Sequence, residues 1–378
     1  MTKTVLLTIG RLPKALDIAR GFAGAGWRVI VADPFRWHLT RVSNAIAKCY
    51  AITSPVTDRA RYLSDIRAVI DSERVELVVP VSEETMYVAA LRDVLAPGVS
   101  IFTMPQDLVL ELYNKRTFAN KAHALGLDAP KTCALGDPGA GAIAASGDYV
   151  IKPECSCSGR GVRFFTRNTP LPATQADEPE IAQQRIAGDL YSTFSIAHRG
   201  EARVTVVYRA AVMSGTVAVC FERVPDMPAI AAWVDAFVAA TTYTGFVSFD
   251  MIVDAEGRAY AIECNPRATS GAHFVTPEFL IAAILDQPTD APAFRKTLFM
   301  QQFYPCLTET QTSLFDPPRF KANLRHLISA QDVSWARRDP LPFLLMPATA
   351  SQILWRSIVK KQSFGEASTF DISWRPAR

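Results

Sequence analysis

Over residues 4–105, short apolar runs alternate with amphipathic segments of helix length, and nothing else in the 378-residue sequence restricts its fold as tightly. The runs are VLLTI, WRVIVAD and VELVVPV, and residues 13–25 and 58–72 lie between them. Strict alternation with short links predicts parallel strands wrapped by helices, since each helix must carry the chain back to the edge where it began. Ligands of such sheets sit at the carboxyl ends of the strands. That rule gathers Gly10, Arg11, Asp33 and the run Pro80-Val81-Ser82-Glu83-Glu84 around one crevice. The turn Gly10-Arg11-Leu12-Pro13 lacks the G-x-G-x-x-G spacing, so a dinucleotide site is not expected there, although Asp33 ends the second strand. Ser82 reads either as the cap of the next helix, with Glu83 and Glu84 in its first turn, or as a substrate contact.

Composition excludes several classes. Forty Lys and Arg against 37 Asp and Glu leave a net +3, too little to point to nucleic acid or an anionic membrane as the main partner. No stretch reaches the roughly 18 unbroken apolar residues of a spanning helix, and the start MTKTVLLTIGR lacks a cleavage site, so a cytoplasmic protein is expected. The seven cysteines are scattered, which favours thiols over a disulfide framework. Only Cys155 and Cys157 stand close together, and no second pair of soft ligands accompanies them.

Residues 108–126 read as one helix that stops at Gly126, with Pro130 beyond. The texture then turns Gly/Ala-rich over 132–148 and leads into DYVIKP. In the stretch IKPECSCSGRGVRFF, Lys152 ends an apolar strand beside a loop of Ser156, Ser158, Gly159 and Gly161. A lysine beside a glycine loop free of bulky side chains meets the conditions for a phosphate cradle, without the Walker pattern.

The segment TGFVSFDMIVDAEGRAYAIECNPR, residues 244–267, reads as an antiparallel hairpin turning at Asp254-Ala255-Glu256-Gly257. Counting from the turn sets Asp250 opposite Glu263 or nearly so. Like charges directly opposite destabilise a sheet, so something positive belongs between them. Asn265 lies two residues further on the same face, and two carboxylates with an amide oxygen suit Mg²⁺. Arg267 continues that side, where a cation fits phosphate chemistry.

Lys115, Lys152, the run Gln183-Gln184-Arg185-Ile186-Ala187-Gly188-Asp189, Asp250 and Glu263-Cys264-Asn265-Pro266-Arg267 follow one another along the chain. In that order the sequence resembles the ATP-grasp superfamily over about residues 1–285, in particular carboxylate–amine ligases similar to the ATP-grasp domains of carbamoyl-phosphate synthetase and biotin carboxylase. The E-x-N-P-R element is its most specific part. Many relatives carry Gln-Glu at the hinge and Glu or Gln as first metal ligand, where this chain has Gln183-Gln184 and Asp250.

The resemblance implies an α/β and α+β chain: a Rossmann-like domain over 1–105, a two-lobed ATP-grasp domain with antiparallel sheets over 106–300 with its lid at about 130–184, and a C-terminal extension over 301–378. It implies ATP as cofactor, with Mg²⁺ or Mn²⁺ as two ions on Asp250, Glu263 and Asn265. Lys115 and Lys152 would contact the ATP phosphates, with Ser156, Ser158, Gly159 and Gly161 closing over them. Gln184 and Ile186 would hold adenine through backbone groups, and Asp189 the ribose. Arg267, with Lys152, would be catalytic, steadying the γ-phosphate and the acyl phosphate. Glu83, Arg223, Ser270 and His273 are candidates for substrate contacts.

The expected reaction activates a small-molecule carboxylate as an acyl phosphate and joins it to an amine, releasing ADP and phosphate. The alternatives are an ATP-dependent carboxylase or carbamoyl-phosphate-type enzyme, or a nucleotide-binding protein without catalysis. No nucleic acid or membrane partner is expected, and a homodimer is left open. FLLMPATASQILWRSIVKK suggests a membrane-surface helix with a basic end, but its early proline and modest charge favour a packed cap or dimer surface.

Overall fold

The opening alternation becomes five strands, β1 Thr4–Leu7, β2 Arg28–Asp33, β3 Lys48–Ala51, β4 Leu77–Val79 and β5 Ser100–Ile101, in the order β3-β2-β1-β4-β5. Every neighbouring pair is parallel. Val5, Leu7, Val29 and Val31 pack with residues of the helix Pro13–Gly24, while Leu6, Ile30 and Val78 pack with Tyr62, Ile66 and Ile70 of the helix Arg59–Glu73. Burial on both faces explains why these strands read as unbroken apolar runs. The computed structural model of the chain describes residues 2–156, 159–173, 179–289, 291–362 and 364–375. Among them no helix is long and apolar enough to cross a membrane.

The crevice gathers the residues expected there, but the C-terminal tail fills it. Asp33 Oδ2 accepts from the backbone N–H groups of Gly10 and Arg11 at 2.8 and 3.1 Å, and the Arg11 guanidinium bridges Asp33 at 2.6 Å and Asp371 at 2.7 Å. Burial opposes the charge on Arg11, yet the two carboxylates raise its pKa. Ser54 donates to the Asp371 carbonyl, Tyr87 donates to that of Ser373, and Trp374 rests on the Tyr87 ring. A Cβ at Gly10 would lie 2.3 Å from Thr40 Oγ1, which makes glycine obligatory. The Ser82 side chain is not the cap of the next helix: the Glu84 carboxylate caps the N–H groups of Val81 and Ser82, and Ser82 supplies its carbonyl to Thr85.

Two antiparallel assemblies follow. A four-stranded sheet, ordered β6-β9-β7-β8, is built from β6 Thr132–Ala134, β7 Tyr149–Pro153, β8 Arg163–Phe165 and β9 Glu180–Gln184. A seven-stranded sheet runs β14-β13-β10-β11-β12-β15-β16. Its members are β10 Asp189–His198, β11 Glu201–Ser214, β12 Val217–Arg223, β13 Gly245–Val253, β14 Ala259–Asn265, β15 Phe299–Gln301 and β16 Gln331–Asp332. The pair β15–β16 is parallel and the other pairs are antiparallel. A boundary at residue 300 would pass through β15, and β16 belongs to the same sheet.

The single helix expected over 108–126 is two, Gln106–Tyr113 and Lys115–Ala124. Asn114 between them is extended, and its side chain accepts from the N–H groups of Arg116 and Thr117. An asparagine that caps the second helix ends the first, which places Lys115 at a helix start. The stop at Gly126 is as read, with φ +73°.

Candidate active site

The hairpin β13–β14 pairs Asp250 with Glu263 and Ser248 with Asn265. Strand alternation puts Ser248 and Asp250 on one face and Phe249 on the other, fully buried against Phe118, Trp233 and Phe237 at ring distances of 5.9, 5.0 and 5.1 Å. This aromatic backing fixes the hairpin that presents the carboxylates.

The positive groups that the pair requires are present. Lys115 Nζ lies 3.6 Å from Glu263 Oε2 and donates to the Ser156 carbonyl at 2.8 Å. Lys152 Nζ donates to the Ile262 carbonyl at 3.3 Å. Burial is the main cause that lowers the Lys152 pKa to about 8, with Glu263 working against it and Lys115 adding to it. Burial and the facing Glu263 charge push Asp250 upward. Burial acts in the same sense on Glu263, but the two lysines outweigh it and hold this carboxylate low. One acid of the pair is thus favoured as the anion.

Arg267 completes the cluster. Its Nε donates to Glu83 Oε1 at 2.5 Å and one of its terminal nitrogens to Asn265 Oδ1 at 3.0 Å. Glu83 is fully buried and also accepts from the Tyr113 hydroxyl at 2.8 Å. Glu83, a candidate substrate contact, therefore faces the arginine of the site and steadies it. Among the described residues no group of three His, Cys, Asp or Glu assembles. A cation here needs the Asn265 amide as third donor, and its oxygen keeps a lone pair beside the Arg267 bond. Two opposed carboxylates and an amide oxygen fit a hard divalent ion.

Of the residues expected to close over phosphates, Ser156 is buried against Lys115, and Gly159 and Gly161 adopt φ of +69° and +72°. Ser158, like Cys157, lies outside the described residues. At the hinge, Gln184 spends its N–H on the Lys131 carbonyl, and the Ile186 N–H has no backbone partner among the described residues. Asp189 opens β10 and is exposed. A Cβ on Gly188 would lie 2.2 Å from the Val253 carbonyl oxygen, so only glycine lets the chain pass from hinge to sheet.

The remaining substrate candidates lie on two other elements. Ser270 and His273 belong to the short 3₁₀ helix Ser270–Phe274, and His273 Nδ1 is joined at 2.5 Å to Asp17, which also accepts from Arg295. The ring is thus committed to the helix Pro13–Gly24. Arg223 lies at the end of β12 with its side chain over the Phe294 ring, and its buried Nε has no hydrogen-bond partner among the described residues.

Sequence reading missed Ser192 and Tyr208. Ser192 donates to Asp250 at 2.6 Å, and burial pushes the Tyr208 hydroxyl up to about 12. Register explains both. Glu263, Asp250, Ser192, Tyr208 and Arg223 pair in turn across β14, β13, β10, β11 and β12, forming one row on one face. Polar residues at alternate positions of an apolar strand are the only local signal.

A parallel α/β unit, a small antiparallel sheet and a large one, with two lysines over a carboxylate pair, define a two-lobed nucleotide-grasping architecture. Residues 113–271 match the family model of the ATP-grasp domain. No curated protein matches the sequence. Among solved structures, the chain is similar to N5-carboxyaminoimidazole synthetase from Staphylococcus aureus at 12% identity and a TM-score of 0.62, covering 84% of this chain and 88% of that one. It is also similar to the biotin carboxylase domain of Hydrogenobacter thermophilus 2-oxoglutarate carboxylase, solved as a dimer with MgADP, ADP and bicarbonate: 14% identity, TM-score 0.61, coverage 78% and 72%. L-amino acid ligase from Bacillus licheniformis matches at 15% identity and TM-score 0.56, covering 75% and 74%. At these identities the likeness is one of fold.

Proposed function

We propose that the protein is an ATP-dependent ligase that activates a substrate carboxylate as an acyl phosphate and joins it to an amine, releasing ADP and phosphate. The observation that carries this reading is the opposition of Asp250 and Glu263 across the hairpin, with Lys115, Lys152 and Arg267 around them. Negative and positive groups together match a nucleotide triphosphate bound with a cation, which neither set would hold alone. Asp250, Glu263 and Asn265 would hold Mg²⁺, which supplies charge neutralisation on the phosphates.

Lys115 and Lys152 lie where they would receive the phosphates, with Ser156, Gly159 and Gly161 providing unencumbered backbone beside them. The Ile186 N–H, the Gln184 carbonyl or side chain, and Asp189 would hold the nucleoside at the hinge. The substrate carboxylate attacks the γ-phosphorus, and the bond from that phosphorus to the bridging oxygen breaks as ADP leaves. Arg267, held rigid by Glu83, stabilises the charge on the transferring group. An amine then attacks the acyl carbon and expels phosphate. Acyl phosphates hydrolyse in water, so closure of the four-stranded sheet over the site would protect the intermediate.

The test is a panel of amino acids and small acids assayed with ATP and Mg²⁺. ADP and phosphate without AMP are expected, with hydroxamate when hydroxylamine replaces the amine. AMP and pyrophosphate would overturn the acyl-phosphate route. ADP release that requires bicarbonate alone would move the protein to the carboxylases.

A further inference from the structure

We infer that the C-terminal region is a peripheral docking face for an anionic lipid surface. The helix Ser351–Lys360 has Ile353 as its only buried side chain. Leu354, Trp355, Ile358 and Val359 stand 45, 69, 76 and 52% exposed. Positions i, i+1, i+4 and i+5 form one stripe along a helix, so this amphipathic helix turns its apolar face to solvent. The two short helical turns before it, Leu341–Leu344 and Met346–Thr349, contribute the exposed Leu341 and Leu344, with Leu345 between them. Scattered single apolar residues are ordinary on a surface, but a run of this kind marks an interaction site.

Charge decides the occupant. Residues 317–362 hold eight Lys and Arg against two Asp, a surplus of six in a chain whose total is +3, so the rest of the chain is net negative. Both acids are committed inside. Asp332 accepts from Phe303, Ser334 and Trp335, and Asp339 from Arg20, Ser43 and Asn44. Arg337, Arg338, Lys360 and Lys361 pair with no carboxylate among the described residues, and Arg36 lines the cleft beside the helix with Arg356 and Lys360. A second copy would bring the same cations against this face, whereas an anionic bilayer complements both the apolar stripe and its basic flank. Pro342 and Pro347 precede the helix and do not interrupt it, so the early proline is no argument against this reading.

The experiment is co-sedimentation of the full chain with phosphatidylglycerol/phosphatidylcholine vesicles and with phosphatidylcholine vesicles, at low and high salt. Binding is expected only with phosphatidylglycerol and should fall as salt rises. The double variant Trp355→Glu, Ile358→Glu should lower the bound fraction roughly tenfold or more, and Lys360→Glu with Lys361→Glu should act in the same direction. All variants should keep the wild-type melting temperature, since the altered side chains are exposed. Equal sedimentation with both vesicle types, or none, would overturn the inference. So would a light-scattering dimer that Ile358→Glu dissociates, which would assign the face to a second copy.

Discussion

Glu263→Gln is expected to reduce ADP release by roughly a thousandfold or more, with the fold intact. Glutamine keeps the shape and removes the charge that both Lys115 and Lys152 feel. It also removes one of the two hard anionic donors, leaving Asp250 and an amide. Stability should change little, because the repulsion of Asp250 disappears together with the attraction to the lysines. Steady-state ADP release and a thermal melt of the same preparation read the two effects separately. Turnover near the wild-type rate would sink the assignment of the carboxylate pair.

Arg11→Met carries the largest expected loss of stability. The guanidinium lies between Asp33 and Asp371, all three buried, and its removal takes the paired cation from Asp33 and leaves Asp371 with Arg356 at 3.7 Å. Removing one partner of a buried ion pair costs about 3–5 kcal/mol. A denaturant midpoint measures it, and the double variant Arg11→Met, Asp371→Asn should lose less than the sum of its parts, because the two sites share one interaction. A shift of less than about 1 kcal/mol would show that the tail docks independently of these charges.

Much of this was legible because it is local. The parallel sheet follows from apolar runs spaced by helices, and a short turn brings Asp250 to within one position of Glu263, while a register shift between Asp250 and Met251 sets the two opposite each other. The row that continues through Ser192 and Tyr208 was not legible. It depends on β10 pairing with β13 across some sixty residues, which no turn dictates. The break at Asn114 is an intermediate case. LVLELYNKRTFANKAHALG keeps helical periodicity throughout, yet asparagine is a capping residue, and its side chain ended one helix and started the next. The crevice was placed correctly by strand order, but its filling by Asp371 was hidden, since the partners stand 360 positions apart.

That last contact has a consequence for how the chain is made. Synthesis is vectorial, so β1 and β2 leave the ribosome long before residue 371 exists. Until residue 371 has been made, Arg11 must satisfy Asp33 alone, with the mouth of the sheet open to water. The mouth closes when Asp371 meets Arg11 and Trp374 covers Tyr87. This sheet is thus completed only by residues 360 positions downstream of Arg11, and a nascent chain stalled before them would display an open crevice.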